Sequence, residues 1–356
     1  MINCALVYGF DSPEHDVSVM TALEIMRNAP SKGIRLKPVY ARDGRFFGGD
    51  ELSEIKAYTP FEAGKHPEVF VQSGRLWRVK RGKARAECEL DCALIAAHGG
   101  AGENGALQGF LEVSGVGYLS TGVFGAALGM SKWASKTLMK AAGVPVPEFT
   151  VIKKGDELKP LLEKSSYPVI IKPDSGGSSL GIRVADSARE AVKMVDTAFG
   201  FGDKVIIEEY LKGAEDINIA VLSTPDTFIV SKPERPLRHG EILSFDDKYT
   251  RKDGKISEFP VDLNEETAAE LKEYVKIGVE IFEVKGVARF DFLLSGGKLY
   301  FNEVNTVPGS LAGYLFPEMS FSAFLRRLIE GATCRETRHF PAGDKLLNIK
   351  PKRRQR

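Results

Sequence analysis

Three residues late in the chain have the types and spacing for chemistry: Asp291, Glu303 and Asn305. They sit in "GVARFDFLL" and "KLYFNEVN", runs otherwise apolar enough to be buried strands. Strand alternation puts Arg289 and Asp291 on one face of the first strand. It puts Phe301, Glu303 and Asn305 on one face of the second. If the strands pair across the turn "SGG", two carboxylates and an amide oxygen converge. Such hard donors suit Mg²⁺, which combines few protein ligands with substrate phosphates. A polar, solvent-facing strand side is the competing reading.

A second candidate is "KPDSGGSSLG", residues 172–181, which follows the apolar run "YPVII". Glycines let backbone N–H groups approach an anion, and the serines add donors. Lys172 supplies a fixed charge at the strand end. The order is not that of a Walker loop, because the lysine precedes the glycines and a strand follows. Phosphate clamp and plain hairpin turn both remain open on this loop alone. The strand "KVIIEEYLKG" could offer an apolar slot for a purine, with Glu208 or Leu211 beside a ribose. Glu14, His98 and Lys132 stand at element ends, where a helix-start acid, a strand-end histidine and a solvated lysine are also ordinary.

The elements that must position these residues change character along the chain. "NCALVYGF", "IRLKPVYA" and "CALIAAHGG" read as strands, with a helix at "VSVMTALEIMRNA" and a hairpin at "EVFVQSG" and "RLWRVKRG". This is an open α/β unit, and such sheets bind ligands at the carboxyl ends of their strands. From about residue 130 the texture is α+β. The expected units are 1–130, 131–218 and 219–335, followed by a basic, disordered tail over 336–356. The polar, glycine-bearing segment 240–258 interrupts the third.

With 356 residues, the chain is longer than one hydrophobic core usually serves. A net charge of +1 provides no global field toward nucleic acid or acidic membranes. No apolar stretch approaches the roughly 20 residues that span a bilayer, and the first residues carry no signal-peptide pattern. Cys4, Cys88, Cys92 and Cys334 lack the paired spacing of a zinc site, so free thiols in a reducing cytoplasm are expected.

Taken in order, the motifs resemble the ATP-grasp superfamily and, within it, the D-alanine–D-alanine ligase family. The resemblance spans residues 3–330 and rests on "DSPEHDVS", "HGGAGENGALQGFLE", "GMSKWASK", "PVIIKPDSGGSSLGI", "DDKY", "ARFDFLL" and "NEVNTVPG". It implies a three-domain ATP-grasp fold and ATP-dependent ligation of two D-alanines through an acyl phosphate, for peptidoglycan synthesis. A sister ligase using D-lactate, D-serine or another acceptor is the alternative.

At matched positions the resemblance implies ATP contacts from Lys132, Lys172, Ser178, Ser179, Glu208, Glu209, Tyr210, Leu211, Glu215 and Lys248. Asp291, Glu303 and Asn305 would hold two Mg²⁺ ions, with Mn²⁺ as a substitute. Glu14, Val17, Ser18, His98, Arg289, Gly309, Tyr314 and Leu315 would face the amino acids. Lys248 and Tyr249 would belong to a mobile flap, and Glu14, Ser178 and Tyr249 would be linked. A homodimer is implied, with neither nucleic acid nor membrane as partner. The family often carries serine where Tyr314 stands, on the carboxylate of the second substrate.

Overall fold

A computed structural model describes residues 1–238 and 257–333. Most of the expected flap, with Lys248 and Tyr249, lies outside the described residues, as do Cys334 and the tail.

The apolar run at the start forms β1 (Ile2–Gly9). It is an interior strand: β2 (Ile34–Arg42) and β7 (Cys92–Ile95) flank it in parallel. Strands buried on both faces read as continuous hydrophobic runs, as this one does. An antiparallel meander extends the sheet beyond β2: β3 (Arg45–Phe47), β4 (Glu68–Gln72), β5 (Arg75–Lys80) and β6 (Lys83–Glu89). The hairpin expected from alternation is β4–β5. β6, "KARAECE", escaped the sequence reading because it is a charged, exposed edge strand with no apolar period. α1 (His15–Arg27) packs on β1, while α2 (Gly100–Glu103) and α3 (Ala106–Val113) follow β7. α4 (Val123–Met130) and α5 (Lys132–Ala141) lead away from this unit.

The second sheet is antiparallel, in the order β10–β9–β11–β8. It comprises β8 (Phe149–Lys153), β9 (Val169–Pro173), β10 (Arg183–Ala185) and β11 (Lys204–Glu209). α6 (Leu158–Leu162) and α7 (Ala188–Ala198) supply its apolar cover. β9 and β10 are the expected strands on either side of the glycine-serine loop.

β12 (Glu215–Thr224), β13 (Thr227–Val230), β16 (Gly286–Ser295) and β17 (Lys298–Asn305) form the third sheet, ordered β13–β12–β16–β17. β14 (Arg235–Pro236) pairs with β15 (Ser257–Glu258) beside it. α8 (Glu265–Ile281) starts where the Asn264 side chain accepts the Thr267 N–H, satisfying one orphan donor of the first turn. The register of β16 and β17 corrects the simple alternation. Asp291 faces Glu303, but Phe292 faces Phe301, so Asn302 is the extra residue of a β-bulge. The bulge resets side-chain parity. Leu299, Phe301 and Val304 face the core, whereas Asn302, Glu303 and Asn305 face the cavities. Phe301 therefore does not share the face of Glu303 and Asn305.

The cores cross the sequence divisions. α5, expected with the central unit, sends Met139 into the core of the third, beside Val275, Phe290 and Phe301. The last helix, α9 (Phe321–Thr333), returns to the first sheet and buries Phe324, Leu325 and Leu328 there. Among the described residues no helix is long and apolar enough to cross a membrane.

Candidate active site

Two connected hollows lie where the three sheets meet. A narrow cleft of about 100 Å³ is bounded by β9, the loop after it, β11 and the β16–β17 pair. A larger cavity of about 880 Å³ opens toward α1, the strand-end loop at His98 and the segment 304–314. Lys132, Gly176, Asn218, Arg289 and Glu303 line both, so the hollows share a wall.

The narrow cleft is floored by charge. Lys172 Nζ donates to Glu208 Oε2 at 2.8 Å and to Asn302 Oδ1 at 3.0 Å. Lys136 Nζ lies 3.3 Å from Glu208 Oε1. Burial opposes the Glu208 charge, but the two lysines outweigh it and hold the carboxyl below its usual range. Lys132 opens α5 and reaches across to the loop, donating to Gly176 O at 2.7 Å, with Glu303 at 3.4 Å. Glu209, Tyr210 and Leu211 line the cleft together with Ile170 and Leu180, which give it an apolar slot. Ser179 stands in the loop above.

The loop is bound to the larger cavity through Glu14. Ser178 Oγ donates to Glu14 Oε1 at 2.5 Å. Both serines adopt positive φ, 52° at Ser178 and 59° at Ser179. A Cβ on Gly177 would stand 2.7 Å from Glu14 Oε2, so a side chain there would displace the carboxylate that Ser178 holds. Glu14 immediately precedes α1, because the turn "DSPE" ends the first strand at its carboxyl end.

Opposite, β16 and β17 bring Asp291, Glu303 and Asn305 together. Arg289 holds Asp291 in a fork, Nε to Oδ1 at 2.7 Å and Nη2 to Oδ2 at 2.8 Å. Burial works against the guanidinium charge, but Asp291 more than restores it, raising its pKa. Asn305 Nδ2 donates to Asp291 Oδ2 at 3.0 Å. Among the described residues no three His, Cys, Asp or Glu side chains cluster as a metal cage. Two carboxylates and an amide on one cleft wall instead make an incomplete oxygen set. That suits Mg²⁺ completed by phosphate oxygens, so the residues fit the ion.

His98 is buried and held at both nitrogens, Nδ1 to Val307 O at 2.7 Å and Nε2 to Thr21 Oγ1 at 2.9 Å. Burial lowers its pKa to about 4, leaving a neutral imidazole at neutral pH. Glu103, which the sequence reading did not single out, accepts from Gly99 N at 2.8 Å and from Val307 N at 3.2 Å. It thereby ties the histidine loop to the segment after β17. Burial raises its carboxyl to about 7. Only its place in "GENG" hinted at this, and no spacing rule predicts burial.

Other expected contacts fall differently. Val17, Gly309 and Tyr314 line the larger cavity. Ser18 stands behind the wall, its hydroxyl accepting the His98 N–H at 2.7 Å. Leu315, expected at the substrate, is packed into the first core because the tight turn at 309–315 rotates it inward. Glu215 is 3.2 Å from Arg235, away from the cleft walls. Glu208, expected to frame adenine and ribose, is instead clasped by two lysines in the cleft floor. Tyr314 donates to Glu234 Oε2 at 3.0 Å, and Glu234 itself was missed. Cys4, Cys88 and Cys92 are free thiols.

Models of the D-ala D-ala ligase N-terminus and C-terminus match residues 3–121 and 138–328. A D-alanine--D-alanine ligase of Leptospira biflexa serovar Patoc is 33% identical over 333 residues, covering 90% of this chain and 93% of that protein. The vancomycin B-type resistance protein VanB of Enterococcus faecalis is 32% identical over 329 residues, covering 90% and 94%. The solved D-alanine-D-alanine ligase from Coxiella burnetii shares the fold at TM-score 0.80 and 23% identity, covering 93% of this chain and 94% of that one. With both halves matched and the charged cleft in place, the chain belongs to the D-alanine–D-alanine ligase family, ATP-dependent ligases of the ATP-grasp fold.

Proposed function

We propose that the protein joins two D-alanines into D-alanyl-D-alanine, converting ATP to ADP and phosphate, in cytoplasmic peptidoglycan synthesis. One observation carries this reading: Lys132, Arg289 and Glu303 line both the narrow cleft and the larger cavity. A phosphoryl group and an amino-acid carboxylate can meet at that shared wall.

A carboxylate is a poor electrophile, so the first D-alanine attacks the γ-phosphoryl and becomes an acyl phosphate. The amine of the second D-alanine then adds to that carbonyl, and phosphate leaves. Lys132, Lys172 and Ser179 hold the phosphates, and Glu209, Tyr210 and Leu211 frame the adenine. Glu14, oriented by Ser178, takes the first ammonium beside neutral His98. Arg289 and the Gly309 N–H meet the oxyanion as the Arg289–Asp291 fork opens. Tyr314 bounds the acceptor. Asp291, Glu303 and Asn305 would hold two Mg²⁺ ions, or Mn²⁺, which supply charge neutralisation on phosphate oxygens. Acyl phosphates hydrolyse, so water must be excluded; Lys248 and Tyr249, to which the resemblance gives that task, lie outside the described residues. The domain divisions at 130, 218 and 335 and a homodimer complete the reading.

A D-serine or D-lactate acceptor is the second reading. It is favoured by Tyr314, whose hydroxyl is tied to Glu234 at the cavity wall. Incubation with ATP, Mg²⁺ and D-alanine should release phosphate and dipeptide together. Absence of ADP with every D-amino acid would sink the enzyme reading. ADP formed only when D-lactate or D-serine is added would move the conclusion to the second acceptor class.

A further inference from the structure

Lys136 is fully buried and lines neither hollow. It lies one turn along α5 from Lys132, on the same helix face. Lys132 reaches the cleft, whereas Lys136 runs beneath it, with Nζ 3.3 Å from both Glu208 Oε1 and Phe301 O. Glu208 gives its other oxygen to Lys172, which also donates to Asn302. The chain of contacts thus links α5, β11, β9 and β17 under the cleft.

Burying an ammonium is costly even when it is paired. A methionine of similar length would fill the space without that cost, so packing alone does not account for a lysine here. Charge does. Lys172 and Glu208 by themselves sum to zero, and a polyanion above them would meet a neutral pair. Lys136 brings the buried trio to a net +1.

We propose that Lys136 is a positioning residue for the nucleotide: it offsets the charge of Glu208, so that Lys172 is anchored by a carboxylate without being neutralised by it. This rests on the reading that the narrow cleft takes the phosphates of ATP.

Calorimetric titration of ADP with Mg²⁺ tests it without turnover. Lys136→Met should weaken ADP binding about 10- to 30-fold, the loss of one partly screened charge. Adding Glu208→Gln to that variant restores the net +1 and should return affinity to within about threefold of wild type. In turnover, KM for ATP should rise in Lys136→Met while KM for D-alanine stays. A merely structural lysine would give neither the rescue nor the split. If Lys136→Met does not fold, Lys136→Gln removes the charge while keeping a donor for Phe301 O, and the same comparison applies. Equal ADP affinity in wild type and single variant, or a loss that Glu208→Gln leaves unrescued, overturns the proposal. Wild-type protein that bound no ADP would instead overturn the nucleotide reading beneath it.

Discussion

Lys136, Glu208 and Lys172 are buried under the nucleotide cleft as an ion-paired trio, in which burial lowers the Lys136 ammonium to about 8, still above neutral pH, whereas His98 and Glu103 are buried beside the amino-acid cavity with no opposite charge paired to them among the described residues. Each lysine of the first group touches a carboxylate. The second group is held by Thr21, Ser18 and backbone groups at Gly99 and Val307. Burial pushes both of its members toward neutrality. The contrast matches the ligands each side would receive. A triphosphate needs net positive charge, which acts over distance. A small zwitterion needs a wall of fixed shape, which short neutral hydrogen bonds provide. Changes on the charged side should therefore be large and sensitive to charge balance, and changes on the neutral side smaller and local.

The largest expected effect lies on the charged side. Glu303→Gln keeps the shape of the cleft and removes a carboxylate, so kcat should fall by at least about 1,000-fold. Circular dichroism and Tm should stay near wild type, and an active variant would refute the metal assignment. At the seam between the two sides, Ser178→Ala deletes the donor to Glu14. KM for the first D-alanine should rise about 10- to 100-fold, the value of a hydrogen bond to a charged group. An unchanged KM would detach the loop from substrate binding. Tyr314→Phe, on the half-exposed cavity wall, should change acceptor KM about fivefold. ADP affinity should stay as it was; a change there would blur the distinction between the sides.

The smallest effect is a slope. Glu103 titrates near 7 when folded, above its ordinary value of 4.5. Its contribution is complete below pH 4.5 and is lost as pH rises through 7. His98 titrates near 4 when folded, below 6.5. Its contribution is complete above pH 6.5 and is lost as pH falls through 4. Between 4.5 and 6.5 the two slopes oppose one another, each at most about 1.4 kcal/mol per pH unit. Urea unfolding of His98→Gln should show stability falling as pH rises across this window, and Glu103→Gln should show it rising. Parallel profiles in the two variants would mean that the neutral side is not neutral.

The charged side was the more legible in sequence. Lys172 next to a glycine-serine loop, and acids inside apolar strands, are local signals, because a charge in core-like sequence needs a reason. The neutral side was less so. Glu103 ends the short helix α2 and Glu234 stands just before β14, in polar stretches where acids are common, and their burial depends on elements far along the chain. The family resemblance implied Leu315 as a contact, but a turn of left-handed residues, Ser310 to Ala312, sends it into the core.

The sequence alone determined the apolar strands, their polar interruptions and the residues able to handle phosphate, since hydrophobic period and residue chemistry are local properties. Tertiary structure decided which of them meet. The bulge at Asn302 turns it and Glu303 together toward the cleft, and no alternation rule contains that shift. Lys136 meets Glu208, and Lys172 meets Asn302 across 130 residues, only because α5, β9, β11 and β17 pack at one seam. Charge balance at a buried site belongs to the packed fold, because only there is the dielectric low enough for a single lysine to matter.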